Sequence, residues 1–303
     1  KDFLALYKGM YLSGLNVQYK DFVVWRNNLL KSDAVTKEGE YWLSRFSGNL
    51  PVLDLPTDYP RPPVQSFKGD RLLIKVENVL AESVKNLAGE MSTTPYVVLL
   101  AAYSVLLSKY SGQEDIIIGS VVAGRYNMDL ENMMGLLANT IVFRSFPNQE
   151  KTFRDIVKEL KENVLKALED QTFQFELLVD RLNLKRDISR NFLFDVGFAL
   201  HKTMDDIDFN IDGIRVEPYD FDQKMCKYDL NLEVIESKSE LTLNMEYCSE
   251  LYKKSTVEMM MNDYQKILDF ICKDKDMKIS EIELESHYLK KEEALIEDFE
   301  FNF

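Results

Sequence analysis

At 303 residues, with 46% apolar and 12% aromatic side chains, the chain can bury one large core or two modest ones, which excludes the disordered class. Its formal net charge of −14 argues against a nucleic-acid surface, because phosphate contacts need a basic face. Cys226, Cys248 and Cys272 lack the spacing of a disulfide framework or a zinc site, and no apolar run or signal-peptide pattern predicts a membrane segment. We therefore expect a cytoplasmic protein.

The first third of the chain predicts helices followed by an extended crossing. Residues 2–7 resemble the end of an amphipathic helix without a cap ahead of it, so the chain is expected to be cut there. Helical spacing returns over 18–30 and 37–46. Residues 50–65 contain five prolines and are expected to lie extended over a surface.

A strand over 70–76 and a helix over 80–91 lead to an unusually apolar helix. Thr94 and Pro95 predict its start, with threonine as the N-cap and proline at the first helical position. The following residues, 96–110, are apolar nearly all round, which is typical of a buried helix.

Residues 115–144 predict a strand, a loop and a second strand at the centre of a sheet. The apolar run 116–122 is typical of a buried strand. The loop contains Gly124, Gly135 and the pair Asn139-Thr140, where backbone could approach a ligand closely. A plain core connection is the alternative interpretation of these residues.

The remaining pattern completes an α/β fold with a mixed sheet covered by helices. Thr152 and Asp155 fit a capping box ahead of a helical apolar stripe that ends at Leu165 and Leu168. Alternation predicts an antiparallel hairpin with one solvated face. The further predicted elements are a helix at 175–182, a strand at 193–200, hairpin strands at 227–235 and 241–247, a helix at 255–272 and an acidic, aromatic tail at 297–303.

The residues by themselves do not predict an active site. His201 and His287 lie 86 positions apart, and neither is placed as a general base, so no catalytic residue is assigned. No clustered histidine and cysteine set supports a metal site. GxSxG, GxxxxGK[ST] and GxGxxG are absent, which disfavours α/β-hydrolase, P-loop and dinucleotide-binding proteins.

Six segments, taken in order, resemble motifs of the condensation domains of nonribosomal peptide synthetases. The third resembles IGxFVNTxxxR with Leu137 and Ala138 at the Phe and Val positions, and the fifth resembles RDxSRNPLF with Phe192 at the proline position. The segments are 18–25 (YxDYAVW), 41–43 with 53–62 (YWL and LxLPTDxPRP), 134–144, 170–176 (HQDxPFE), 186–194 and 227–230 (K(F/Y)DL).

This resemblance implies a chloramphenicol-acetyltransferase-like lobe that joins two thioesters held on the phosphopantetheine arms of carrier domains, with no directly bound cofactor. The family's HHxxxDG motif is absent, so the chain implies the second of two lobes and would be inactive alone. We expect residues 1–48 to be a remnant of the first lobe with connecting helices, 49–66 a crossing segment, 67–275 the second lobe, and 276–303 a linker toward an adenylation domain.

The resemblance also implies which polar groups lie near the substrate tunnel. Residues 123–140 would form the loop at its base, called the floor loop here, and a crossover segment would precede Lys227. The expected tunnel residues are Gly135, Asn139, Thr140 and Asn191, with backbone capping as an equally open role for the asparagines and the threonine. Arg125, Arg144 and Arg190 are expected to form structural ion pairs.

Two other functions are compatible with the same motifs. An epimerization or heterocyclization relative would share the fold and change the chemistry. A lobe without catalytic function would serve as a docking platform for carrier proteins.

Overall fold

The computed structural model describes residues 2–12, 14–203, 224–237 and 240–284. The strands are β1 (Gly69–Val76), β2 (Ile116–Val122), β3 (Asn139–Ser145), β4 (Val196–Lys202), β5 (Leu230–Glu236) and β6 (Leu241–Cys248). The α-helices are α1 (Asp2–Tyr7), α2 (Tyr19–Leu29), α3 (Asp33–Arg45), α4 (Asn78–Glu90), α5 (Pro95–Ser111), α6 (Met128–Glu131), α7 (Phe153–Glu169), α8 (Phe175–Leu182) and α9 (Lys254–Lys273), and a 3₁₀ turn spans Ile279–Glu281.

The six described strands form one mixed sheet in the order β1-β6-β5-β4-β2-β3. Strand β4 runs parallel to both β2 and β5, and the other neighbours are antiparallel. The predicted hairpin of β5 and β6 is present, with Leu230, Leu232 and Val234 buried on one face.

The prediction that β2 and β3 occupy the centre of the sheet was wrong. Within the described sheet β3 is the terminal strand, and β2 lies beside it. Its apolar side chains are nevertheless buried, Phe143 being 1% exposed, because α7 packs against β3 and α5 packs against β2. An edge strand covered by helices therefore has the same apolar signature as a central strand.

Helix α5 is the centre of the core, as its all-round apolar sequence predicted. Leu99 and Leu100 are fully buried, and the helix contacts α4, α7, α9 and β2. It ends at Gly112, which has the left-handed conformation (φ 66°) common after helices. Thr94 is the N-cap residue, but its side chain makes no capping hydrogen bond.

Helix α7 begins with the predicted capping box, and the apolar residues of its predicted stripe are not all buried. The Thr152 side chain accepts from the Asp155 N–H, and the Asp155 carboxylate accepts from the Thr152 N–H at 3.0 Å. Leu165 and Leu168 were expected on the buried stripe, yet they are 54% and 41% exposed. They line a cavity between α7 and α5 that is described below.

Strand β4 starts three residues later than the apolar run 193–200 predicted. Leu193 has a φ of 69°, which is incompatible with extended backbone, so the strand begins only at Val196. The proline-rich crossing carries no helix or strand, as expected. The predicted crossover before Lys227 falls mainly on 204–223, outside the described residues, and so do His287 and the tail 297–303.

No single helix of the described part is long and apolar enough to cross a membrane, although α4 and α5, bent by 106° to each other, pass that test as a pair on length and composition.

Candidate functional site

Strands β2, β3 and β4 each have one end on the same side of the sheet, where the floor loop begins and ends. This side of the sheet is called the floor-loop edge. Strands β2 and β4 are parallel, so both reach it with their carboxyl ends. Strand β3 is antiparallel to β2 and begins there, with Asn139 opposite Val122. The topology therefore gathers Val122, Asn139 and His201 near one another, at the kind of position where sheets carry binding loops.

The floor loop folds back on itself through a glycine and an arginine. Gly124 has a φ of 66°, and a Cβ at this position would lie 1.9 Å from the Leu137 carbonyl oxygen, so only glycine fits. Arg125 was expected to form an ion pair. Instead its guanidinium donates to the carbonyls of Leu130, Glu131 and Met133, because the end of α6 presents unsatisfied carbonyls to it.

Helix α2 packs directly on the floor loop. A Cβ on Gly135 would meet the Tyr19 ring at 2.2 Å, and the Tyr19 hydroxyl donates to the Leu136 carbonyl at 3.3 Å. Phe22 lies in a small apolar cluster with Leu130, Met133 and Leu137 of the loop. Gly135 thus provides close contact between the loop and α2.

Asn139 is buried and uses its whole side chain to hold the chain beyond α7 against β3. Its Nδ2 donates to the carbonyls of Gln171 and Phe173 at 2.9 and 2.8 Å. Its Oδ1 accepts from the N–H groups of Thr140 and Phe175 at 2.9 and 3.3 Å. With its donors and acceptor engaged, this amide fixes the backbone that presents Thr140.

Thr140 and Asn191 share a cavity of about 510 Å³, the α8 cavity, and so two of the four expected tunnel residues lie together. Asn191 is fixed there, since its Nδ2 donates to the Lys227 carbonyl at 3.1 Å. The lining contains both signs of charge. Its residues are Thr140, Phe175, Glu176, Val179, Asp180, Asn183, Leu184, Asn191, Phe192, Phe194, Lys227 and Tyr228.

A second and larger cavity, of about 730 Å³, lies between α5, α7 and the ends of β2, β3 and β4; it is the α7 cavity. Tyr96 donates to Ser120 Oγ at 2.9 Å, and burial raises the pKa of Tyr96 to about 12, so its hydroxyl keeps its proton at neutral pH. His201 lines this cavity, and the described lining residues include no carboxylate to pair with it.

Partly buried ion pairs stabilise the chain around the motif segments. Arg144 binds Asp115 in a bidentate pair at 2.9 and 2.7 Å, and Arg190 binds Asp195 at 2.6 Å. Sequence reasoning missed a third pair, between Arg61 of the crossing segment and Asp229. The positions of Arg61 and Asp229 in two of the six motif-like segments are the only sequence signal for it.

Comparison with known proteins identifies the family. The model of the condensation domain matches residues 1–293. The chain belongs to the condensation domain family. Gramicidin S synthase 2 from Aneurinibacillus migulanus is 40% identical over 299 residues, covering 99% of this chain, and tyrocidine synthase 3 from Brevibacillus parabrevis is 43% identical over 284 residues, covering 94%. The chain spans only 7% and 4% of the lengths of these two synthases.

Solved structures confirm the condensation-domain fold, a chloramphenicol-acetyltransferase-like lobe. A holo four-domain nonribosomal peptide synthetase, solved with AMP and glycine, matches with a TM-score of 0.76 and 25% identity over 84% of this chain and 20% of its own. The condensation domain of the monacolin K polyketide synthase gives a TM-score of 0.77 at 22% identity, over 91% of this chain and 65% of its own. The second of these two likenesses concerns the fold alone.

Proposed function

We propose that this condensation domain forms an amide bond between two carrier-bound thioesters. The acceptor's amine attacks the donor's thioester carbonyl, a C–N bond forms, the C–S bond breaks, and the donor's carrier thiol leaves with a proton. The observation that carries the proposal is the family match over 1–293, supported by the six motif-like segments and by the Arg61–Asp229 ion pair that joins two of them.

The floor-loop edge would position the substrates, and a group outside this sequence would handle the proton. Thr140 and Asn191 present polar groups to the α8 cavity, where they would orient a thioester or amine entering on a phosphopantetheine arm. The HHxxxDG motif is absent from these 303 residues, and His201 has no carboxylate beside it in the described cavity wall. We therefore expect the chain alone to be inactive.

The partners follow from the same proposal. Carrier domains would deliver both substrates, a first lobe would complete the cleft, and an adenylation domain would follow the linker. The division into 1–48, 49–66, 67–275 and 276–303 stays a prediction, as does the cytoplasmic location. Residues Ile279 and Ile282, within the expected linker, are buried against the lobe, so any flexible connection would begin after them.

Product analysis separates this function from its rivals. In the synthetase that contains this chain, the two neighbouring carriers are loaded with isotopically labelled amino acids and their thioesters are released for mass spectrometry and chiral chromatography. Condensation gives a linear dipeptide on the downstream carrier. Epimerization gives a D-residue without a new amide, heterocyclization a dipeptide lighter by one water, and a docking lobe no product; any of these three results would overturn the proposal.

A Thr140→Val variant tests the role of the site. The hydroxyl makes no hydrogen bond among the described residues, so the fold should tolerate its loss. If it contacts a substrate, dipeptide formation should slow by between about twofold and tenfold. An unchanged rate with an unchanged unfolding midpoint would remove Thr140 from the site.

A further inference from the structure

The α7 cavity has an apolar wall that the fold itself does not need. Leu165 and Leu168 of α7 and Val121 at the end of β2 line it and are 54%, 41% and 55% exposed. Burial of one such side chain contributes roughly 1.5–3 kcal/mol, so three neighbouring ones left in water form a surface that gains free energy when covered. A concave, mostly apolar hollow of this size is typical of a small-molecule site.

Most polar groups of the cavity are bonded to one another or to backbone, and the buried exception among the described residues is the Thr93 hydroxyl, which has no partner. Tyr96 and Ser120 bond to each other, and Lys161 Nζ donates to the Ser92 carbonyl at 2.7 Å. Within the described part of the chain no aspartate or glutamate lines the wall. A cationic group would enter next to Lys161 without a counter-charge, and an anionic one would have to compete for a lysine that is already bonded.

The position of the cavity connects it to the proposed chemistry. Its lining includes Val122 and Ala123, where β2 passes into the floor loop, and His201 near the end of β4. Thr140, which precedes Ile141 at the start of β3, lines the α8 cavity, so the two cavities meet this strand from opposite faces of the sheet. A substrate held at this edge could therefore place its reacting group near the floor loop and its side chain beneath α7.

We propose that the α7 cavity is a specificity pocket that accepts a bulky apolar aminoacyl side chain, of the leucine or phenylalanine kind, from one carrier-bound substrate. The inference rests on the proposed function for its source of substrate. Leu165 and Leu168 determine the specificity, since they are the larger of the three exposed apolar side chains of the wall and their size sets the remaining volume.

Direct binding to the full chain tests the pocket without requiring turnover. The probes are N-acetylcysteamine thioesters of N-acetyl-leucine, N-acetyl-phenylalanine and N-acetyl-glutamate, titrated by calorimetry. The two apolar probes should bind roughly tenfold more tightly than the glutamate probe. Leu165→Trp should fill the pocket and weaken both apolar probes by roughly tenfold. The matched control is Val79→Trp on α4, also highly exposed and outside the cavity lining, which should bind like the parent.

Three results of these experiments bear against the specificity pocket or against the proposed condensation. Equal binding of leucine and glutamate probes, or full binding by Leu165→Trp, would overturn the pocket. In the complete synthetase, Leu165→Trp should slow dipeptide formation from a leucine-loaded carrier more than from an alanine-loaded one; no such difference would show that another part of the protein fills the cavity. If the synthetase forms the amide but the chain binds all probes equally, the pocket is refuted and the condensation function stands. If the chain discriminates between the probes but the synthetase forms no amide, the condensation function is refuted and the pocket stands.

Discussion

The helix-covered core and the floor loop both contain large apolar residues, but those of the core are buried and several of those in the loop are exposed. Around α5 and β2, Leu99 and Ile118 are fully buried. In the floor loop, Met134 and Leu136 are 84% and 74% exposed. The core closes with the residues of this chain, whereas the floor loop leaves apolar surface exposed.

The largest expected effect comes from truncating the core. Ile118→Ala should lower the free energy of unfolding by about 2–5 kcal/mol, because it opens a cavity between α5 and the sheet. Leu136→Ala, its counterpart in the floor loop, should change it by less than about 0.5 kcal/mol. Urea denaturation followed by circular dichroism measures both. Similar losses for the two variants would abolish the contrast between core and floor loop.

The second effect concerns the ion pair that fastens the crossing segment. Arg61→Ala should cost roughly 1–3 kcal/mol, because it leaves the buried carboxylate of Asp229 without its partner while the arginine itself is partly exposed. The control is Arg154→Ala, which breaks an exposed pair with Asp276 and should be indistinguishable from the parent in the same denaturation experiment. Equal stability of Arg61→Ala and the parent would mean that the crossing is held by apolar packing alone.

The same variant should depend on pH in a defined direction. Burial raises the pKa of Asp229 even though Arg61 opposes this, and loss of Arg61 raises the pKa further. A carboxyl whose folded pKa lies above its unfolded value destabilises the fold as pH rises through the folded pKa. The gap between Arg61→Ala and the parent should therefore be smallest in acid and grow toward neutral pH; a gap that widens in acid would contradict this.

The smallest effect is expected at the start of α7, the helix that serves both regions. Thr152→Ala should cost about 1 kcal/mol through loss of the capping box. Thr152→Ser keeps the hydroxyl and should recover most of it. Thermal unfolding of the pair distinguishes a capping role from a packing role, since a packing role would leave the serine variant as unstable as the alanine variant.

Much of the fold could be predicted because local patterns agree with tertiary packing. The stripe of α7, the capping box and the hairpin of β5 and β6 are where periodicity placed them. The errors share a cause: whether β3 is central, or Leu165 is covered, depends on which element packs beside it, and sequence periodicity does not contain that information.

The site was less predictable than the fold. Asn139 and Thr140 are adjacent in sequence, yet their side chains have different roles. The Asn139 amide is bonded to backbone groups of the segment after α7, whereas the Thr140 side chain faces the α8 cavity. Only the packing of that segment against β3 distinguishes the two residues. Arg125 and Arg144 look alike in sequence, yet one meets helix-end carbonyls and the other a carboxylate. The α7 cavity had no sequence signal, because its wall resembles a core stripe.

The central claim is that this chain supplies the binding edge of a condensation domain and not its proton-transferring group. The most direct measurement is dipeptidyl-thioester formation by the purified chain with two matched aminoacyl carrier proteins, alone and with the upstream half of the domain added. The account predicts background alone and product only after addition of an upstream half with an intact HHxxxDG motif. Turnover by the chain alone, abolished by His201→Ala, would contradict it.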